Sequence, residues 1–171
     1  ADAKGLFKTA VRTPDPVLFF EYKRIYTMKG EVPDGDYTIP IGLADVKREG
    51  EDATIIAVGP MAEKSLQAAV ALEDDGWDVE VVDPRSLSPL DTETLCESVR
   101  KTGRAVVCGE DSVFAGAVSE ISAMVSEQCF SDLKAPVVRV GSPHVPMPFS
   151  AELVKHVVPD ADAVSAAVRQ V

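Results

Sequence analysis

Apolar and polar positions along this chain fall into blocks whose period switches between that of a strand and that of a helix. Asp52-Ala-Thr-Ile-Ile-Ala-Val58, Val79-Glu-Val-Val-Asp83 and Arg104-Ala-Val-Val-Cys108 are short apolar runs rich in β-branched residues. Between the first two, Ala62, Leu66, Ala69 and Val70 form a helical stripe that Gly76 can stop; between the second and third, Leu95 and Val99 form another. The second helix is marked at both ends. Asp91 can cap it, Leu90 and Leu95 stand at the positions of a hydrophobic staple, Arg100 and Lys101 suit its negative end, and Gly103 stops it. Nearly continuous apolar strands separated by amphipathic helices predict a parallel sheet covered on both faces. Such sheets place their sites at the carboxyl ends of the strands, here Gly59-Pro60, Asp83-Pro84-Arg85-Ser86 and Gly109-Glu110-Asp111-Ser112.

The flanks extend this pattern. Ala3, Leu6, Phe7, Ala10 and Val11 share a helical face that ends before Thr13-Pro14-Asp15-Pro16, and Val17-Leu-Phe-Phe20 reads as an apolar strand without a partner. A helix and strand that cannot close a core by themselves suggest the end of a preceding domain; the alternative is a decoration packed on the main one. Glu21 to Asp36, with Gly30, Pro33 and Gly35, reads as a linker, although Glu21-Tyr-Lys-Arg24 could also be an exposed cluster that binds a ligand. Leu43-Ala-Asp-Val-Lys47 is the first strand of the main domain. The turn after it is too short for a parallel crossover, which predicts an edge strand antiparallel to its successor. After Glu110 come a helix bearing Ala117, Ile121, Met124, Val125 and Gln128, a last strand at Val137-Val-Arg-Val140, the stiff loop Gly141 to Pro148, and a closing helix with Val164, Ala167, Val168 and Val171 on one face.

Composition narrows the classes of function. The 171 residues suit one ordinary domain and an extension, and a 46% hydrophobic share is enough for a sizeable core. No run approaches the roughly 18 apolar residues of a membrane span, and Ala1-Asp-Ala-Lys4 lacks the apolar stretch of a signal peptide. The net charge of −11 repels phosphate backbones and anionic membranes, so neither nucleic acid nor membrane is expected as a partner. Cys96, Cys108 and Cys129 lack framework spacing and read as buried thiols of a reducing compartment.

Candidate chemistry is sparse. There is no GxGxxG or Walker sequence, and His144 and His156 are the only histidines, with no metal-ligand spacing. Ser65, Ser86 and Ser112 have no histidine near them in the sequence. Glu110, as the weak catalytic candidate, or Asp111 could act as a general acid or base at the sheet edge, or simply cap the next helix. Asp83 and Arg85 could present an anion-facing guanidinium or, the preferred account, pair with each other to fix the loop. His144 could titrate near neutrality or lie idle at the surface.

Several longer motifs occur together. Asp2-Ala-Lys-Gly-Leu6, Asp15-Pro-Val-Leu-Phe-Phe-Glu21, Lys29-Gly-Glu-Val-Pro33, Tyr37-Thr-Ile-Pro-Ile-Gly42, Asp83-Pro-Arg-Ser-Leu-Ser-Pro-Leu-Asp91, Ser98-Val-Arg-Lys-Thr-Gly-Arg104 and Val145-Pro-Met-Pro-Phe149 stand in order. With them the whole chain resembles the C-terminal half of the beta subunit of the thiamine-diphosphate-dependent decarboxylase component of a 2-oxoacid dehydrogenase complex, of pyruvate or branched-chain type. The resemblance implies an α/β fold: a three-layer transketolase C-terminal-like domain with a mostly parallel five-stranded sheet, one antiparallel edge strand and helices on both faces. It implies that residues 1–20 are the tail of a truncated pyrimidine-binding domain, 21–36 a linker and 37–171 the transketolase C-terminal-like domain.

By the same resemblance, thiamine diphosphate and Mg²⁺ belong to the full assembly and none is expected on this chain alone. The thiamine motif Gly-Asp-Gly with its paired Asn has no counterpart, because the chain contains no asparagine. The implied partners are an alpha subunit, a second beta subunit and the basic subunit-binding domain of a lipoyl transacylase, in an oligomer of the cytoplasm or the mitochondrial matrix. Two departures stand out. Gly109 occupies the place where the family usually has a His before the Glu, and Ser142-Pro-His-Val-Pro146 replaces Gly-x-Asp-Thr-Pro. The expected function is therefore a part of an oxidative 2-oxoacid decarboxylase that serves assembly and transacylase docking and is inactive alone, with Asp83, Arg85, Glu110, Asp111 and His144 as contact candidates. The alternative is a free-standing, non-catalytic interaction module derived from that domain.

Overall fold

A computed structural model describes all 171 residues. Helix α1 (Asp2–Arg12) is followed by a long irregular arm with one 3₁₀ turn at Lys23–Ile25. The regular alternation then runs β1 (Asp45–Arg48), β2 (Ala53–Ala57), α2 (Met61–Glu73), β3 (Val79–Asp83), α3 (Thr92–Thr102), β4 (Ala105–Ser112), α4 (Ala117–Gln128), β5 (Val138–Ser142), α5 (Ala151–Val157) and α6 (Ala161–Val168). The five strands form one sheet in the order β1-β3-β2-β4-β5, with β1 antiparallel to β3 and every other pair parallel. This is the expected mixed sheet with one antiparallel edge strand.

Strand residues alternate between two cores, as the two-residue period of a strand requires. Ile55, Val79, Val81, Val106 and Val140 pack beneath α2 and α6, against Met61, Leu72, Val164 and Val168. Ile56, Val82, Ala105 and Val107 face α3 and α4, against Leu95, Val99, Ile121 and Val125. Adjacent Ile55 and Ile56 are both fully buried, on opposite faces. Truncating either to alanine removes buried methyl groups and leaves a cavity, a change that costs about 2–5 kcal/mol. The helix ends follow their sequence signals: Asp91 Oδ1 accepts the Thr94 N–H at 3.1 Å, and Gly103 ends α3 at φ 74°.

Two expectations change. The first strand lies at an edge as expected, but its partner is β3 and not its successor β2. Gly50 explains how. A Cβ there would collide with the backbone of Val79 and Glu80, and the Glu51 and Asp52 N–H groups both donate to Asp78 O, at 3.0 and 2.8 Å. The turn thus passes tightly over the start of β3, and β2 enters on its far side. The second change is at Val17–Phe20, which forms no strand. It pairs with none of the five strands, and Leu18 and Phe20 are 86% and 80% exposed.

Helix α1 docks through its small and polar side. The Ile39 N–H donates to Gly5 O at 3.2 Å, Thr9 Oγ1 donates to Ile39 O at 2.6 Å, and a side chain on Gly5 would strike Ile39 and Tyr37. Lys8 and Arg12 both pair with Asp36. This leaves much of the apolar face in solvent: Phe7 and Val11 are exposed, with Phe19 meeting the Phe7 ring edge-on at 5.4 Å. No helix is long and apolar enough to cross a membrane.

Candidate functional site at the carboxyl edge of the sheet

Parallel strands β2 to β5 all deliver their carboxyl ends to one edge, and antiparallel β1 brings its beginning there. The loops expected to carry the site therefore share one edge. At the end of β4, Glu110 Oε1 lies 3.2 Å from Lys64 Nζ on α2, and the same ammonium donates to Pro159 O at 2.7 Å. Both side chains are largely buried, so Glu110 ties β4 to α2 and to the turn before α6. Asp111 points the other way and accepts the Val118 N–H at the start of α4 at 3.3 Å. Of the two roles open to it from sequence, the structure shows the helix-capping one.

Asp83 and Arg85 do not pair through their side chains. Asp83 Oδ1 accepts the Arg85 backbone N–H at 2.9 Å, and Arg85 sits at φ 55°, so its guanidinium turns toward the start of β1. There it donates to Leu43 O and Ala44 O, each at 3.0 Å, and stands 3.8 Å from both Asp2 and Asp45. Burial pushes the Asp83 carboxyl above its ordinary range, against the pull of that Arg85 N–H and of Lys47. Arg85 thus clamps the edge strand to the loop after β3.

His144 meets Phe114, their ring centroids 4.7 Å apart and tilted at 55°. No serine joins a histidine in a nucleophilic pair. Ser65 Oγ is 3.3 Å from Cys108 Sγ, Ser86 donates to Pro89 O, and Ser112 accepts the Phe114 N–H. Cys96, Cys108 and Cys129 are buried free thiols. Burial pushes the Cys108 thiol up to about 12 even with Ser65 and Lys64 opposing it, so it is no nucleophile at neutral pH.

Tyr22 is the participant that sequence reasoning missed. The arm expected to be a linker lays this ring over Gly59, just past the end of β2, where a Cβ would come within 2.9 Å of two ring carbons and the hydroxyl oxygen. Burial first, then the charges of Glu110 and Asp111, raise its phenol above the ordinary value. The basic and aromatic run at 21–24 was the available signal; its contact with a glycine 37 residues away is a tertiary fact.

An open cavity of about 420 Å³ lies beside β5 near Val138, Val140, His156 and Asp160. The carboxyl-edge side chains do not fit a diphosphate-bound Mg²⁺. Glu110 is engaged by Lys64 and Asp111 by α4, and nowhere do three potential ligands gather.

The transketolase C-terminal domain matches residues 42–164. The chain belongs to that family. This transketolase C-terminal family member is 48% identical over 171 residues to the 2-oxoisovalerate dehydrogenase subunit beta of Bacillus subtilis (strain 168), covering 99% of itself and 52% of that subunit. It is 45% identical over 163 residues to the acetoin:2,6-dichlorophenolindophenol oxidoreductase subunit beta of the same organism, covering 95% of itself and 48% of that subunit. It is also 48% identical over 150 residues to the B. subtilis pyruvate dehydrogenase E1 component subunit beta, with 87% and 46% covered. Among solved structures, a split-gene transketolase described as an inactive beta4 tetramer superimposes with a TM-score of 0.66 at 38% identity, covering 82% of this chain and 44% of that one. The chain spans about half the length of the curated relatives it matches.

Proposed function

We propose that this chain is the C-terminal half of a beta subunit of a thiamine-diphosphate-dependent 2-oxoacid dehydrogenase, and that its carboxyl edge serves assembly before catalysis. Residues 1–20 are the tail of a pyrimidine-binding domain, 21–36 the linker and 37–171 the assembly domain. The full protein decarboxylates pyruvate or a branched-chain 2-oxoacid and passes the acyl group to a lipoyl transacylase. This half contributes contacts to an alpha subunit, to a second beta subunit and to the basic subunit-binding domain of the transacylase. Thiamine diphosphate supplies the electron sink for decarboxylation in that assembly; the residues of this chain shape and support the surface beside it.

The observation that carries this reading is the exposed apolar surface. Phe7, Val11, Leu18 and Phe20 at the arm, and Phe114, Val145, Met147 and Phe149 on loops after β4 and β5, are all more than half exposed. Dispersed apolar side chains are ordinary, but large exposed residues grouped along short segments mark contact surfaces. Three further facts support it. Glu110 and Asp111 are both committed to internal partners. The relatives bear names for three different substrates at 45–48% identity, as expected if substrate choice is written elsewhere in the subunit. A net charge of −11 suits a basic docking domain.

Light scattering of the purified chain tests assembly. Concentration-dependent self-association is expected, and a monodisperse monomer at high concentration would count against the reading. Binding of a basic subunit-binding domain is expected to weaken steeply with salt; binding indifferent to salt would contradict the electrostatic part.

A further inference from the structure

Helix α4 begins without a cap of its own. Its N-cap residue is Gly116, which has no side chain, and the acceptor for the Val118 N–H comes from Asp111, seven residues back in sequence. The carboxylate reaches that position only because two glycines make room. A Cβ on Gly109 would collide with Oδ1 and lie 2.7 Å from Val118 Cγ2; a Cβ on Gly116 would collide with Oδ2 and lie 3.0 Å from Asp111 Cγ. Gly109, Asp111 and Gly116 therefore act as one fitted unit at the end of β4.

What that unit holds is the loop between them. Pairing of β4 with β5 shifts register between Cys108 and Ser112, the Phe114 N–H donates to Ser112 Oγ at 3.1 Å, and Ala115 adopts φ 57°, costly for a residue with a side chain. Ser119 Oγ donates to Val113 O at 2.6 Å and closes the turn. The result is a ring, Phe114, that stays 65% exposed yet rests against His144. A loop with a strained residue keeps one shape only if its surroundings over-determine it. Arg139 Nη1 holds one side, donating to Val113 O and Ser119 Oγ at 3.0 and 3.1 Å, and half-buried Asp111 is the charged group placed to hold the other.

We propose that Asp111 is a positioning residue: wedged between Gly109 and Gly116, it fixes the 112–116 loop so that Phe114 is presented against His144 on the contact surface. The functional part of this inference rests on the assembly reading above. Gly109 then has a physical meaning, since a side chain there and this placement of Asp111 exclude each other.

Proton NMR of the full chain tests it, because there are only two histidines, His144 and His156, and His144→Gln assigns them. Phe114→Leu should remove the ring-current shift on the His144 imidazole. Asp111→Ala is expected to remove the same shift and leave His156 unmoved, while Asp111→Asn, which keeps an oxygen acceptor for Val118, retains the wild-type spectrum. If Asp111→Ala leaves His144 at its wild-type position, the inference is overturned. If that variant fails to fold, Gly109→Ala decides in the same way: the His144 shift is lost if Asp111 positions the loop, and kept if it does not. Loss of the shift with self-association unchanged would uphold the positioning role and count instead against the reading of this edge as a contact surface.

Discussion

Glu110 and Lys64 stand 3.2 Å apart, joining the end of the central β4 to α2. The carboxylate best placed by topology to act as a general acid or base is thereby engaged by an internal ammonium, an arrangement that suits a strut. Glu110→Ala leaves the ammonium with Pro159 O as its remaining partner and is expected to cost about 1–3 kcal/mol, as for loss of a charged hydrogen-bond partner in a partly buried site. Urea unfolding midpoints of the variant and of Lys64→Met check this. Equal stability of Glu110→Ala and wild type would return Glu110 to the list of groups free for chemistry.

Asp91 and Asp83 make opposite predictions with pH. Burial alone would raise the Asp91 carboxyl, but the Ala44 and Thr94 N–H groups and the Thr94 hydroxyl that donate to it, together with Arg85 nearby, hold it below the ordinary value. Its stabilising contribution is therefore present above the unfolded pKa of about 3.9 and fades as pH falls through the lowered folded value. Asp91→Ala should destabilise by about 1 kcal/mol at neutral pH, and the gap should narrow in acid. A gap that widens below pH 4 would contradict this.

For Asp83 the sign reverses. Its folded pKa is raised by burial, so its contribution is present below the unfolded value and lost as pH rises through the folded one. Asp83→Asn keeps an acceptor for the Arg85 N–H and is expected to be neutral or stabilising at pH 7, with the difference vanishing in strong acid. Thermal unfolding across pH 3 to 8 reads both variants. Marked destabilisation of Asp83→Asn at neutral pH would show that the ionised carboxylate does more than the contacts with Arg85 and Lys47 imply.

Gly50 should be the least tolerant glycine of the fold. Any Cβ meets β3 backbone, which cannot move aside as a flexible side-chain end can. Gly50→Ala is expected to cost about 3 kcal/mol or more and to release β1 from the sheet first. Hydrogen exchange at Val46 to Arg48 would show the release; unchanged protection there would mean that the turn can take another path.

The central alternation was legible because strand and helix periods differ and each helix carries its own stop. Asp91, Gly103 and the stripe from Leu95 to Val99 act within a few residues of one another. The misjudged features depend on distant partners. The partner of β1 is set by the fit of Gly50 against Val79 and Glu80, and a two-residue period says nothing about strand order. Val17–Phe20 has the composition of a strand, but pairing also requires a free edge at the right place. Asp83 and Arg85 look like an ion pair two residues apart until the positive φ of Arg85 turns its guanidinium toward Leu43 and Ala44. Of the candidate site, the edge and its loops were readable, while the Tyr22–Gly59 contact and the Lys64–Glu110 tie, 37 and 46 residues apart in sequence, were not.

Turnover by the isolated chain tests most directly whether this edge assembles a catalyst or is one. Purified chain supplied with thiamine diphosphate, Mg²⁺ and either pyruvate or a branched-chain 2-oxoacid is predicted to release no carbon dioxide above the protein-free background. Sustained decarboxylation by the 171-residue chain alone would contradict the account.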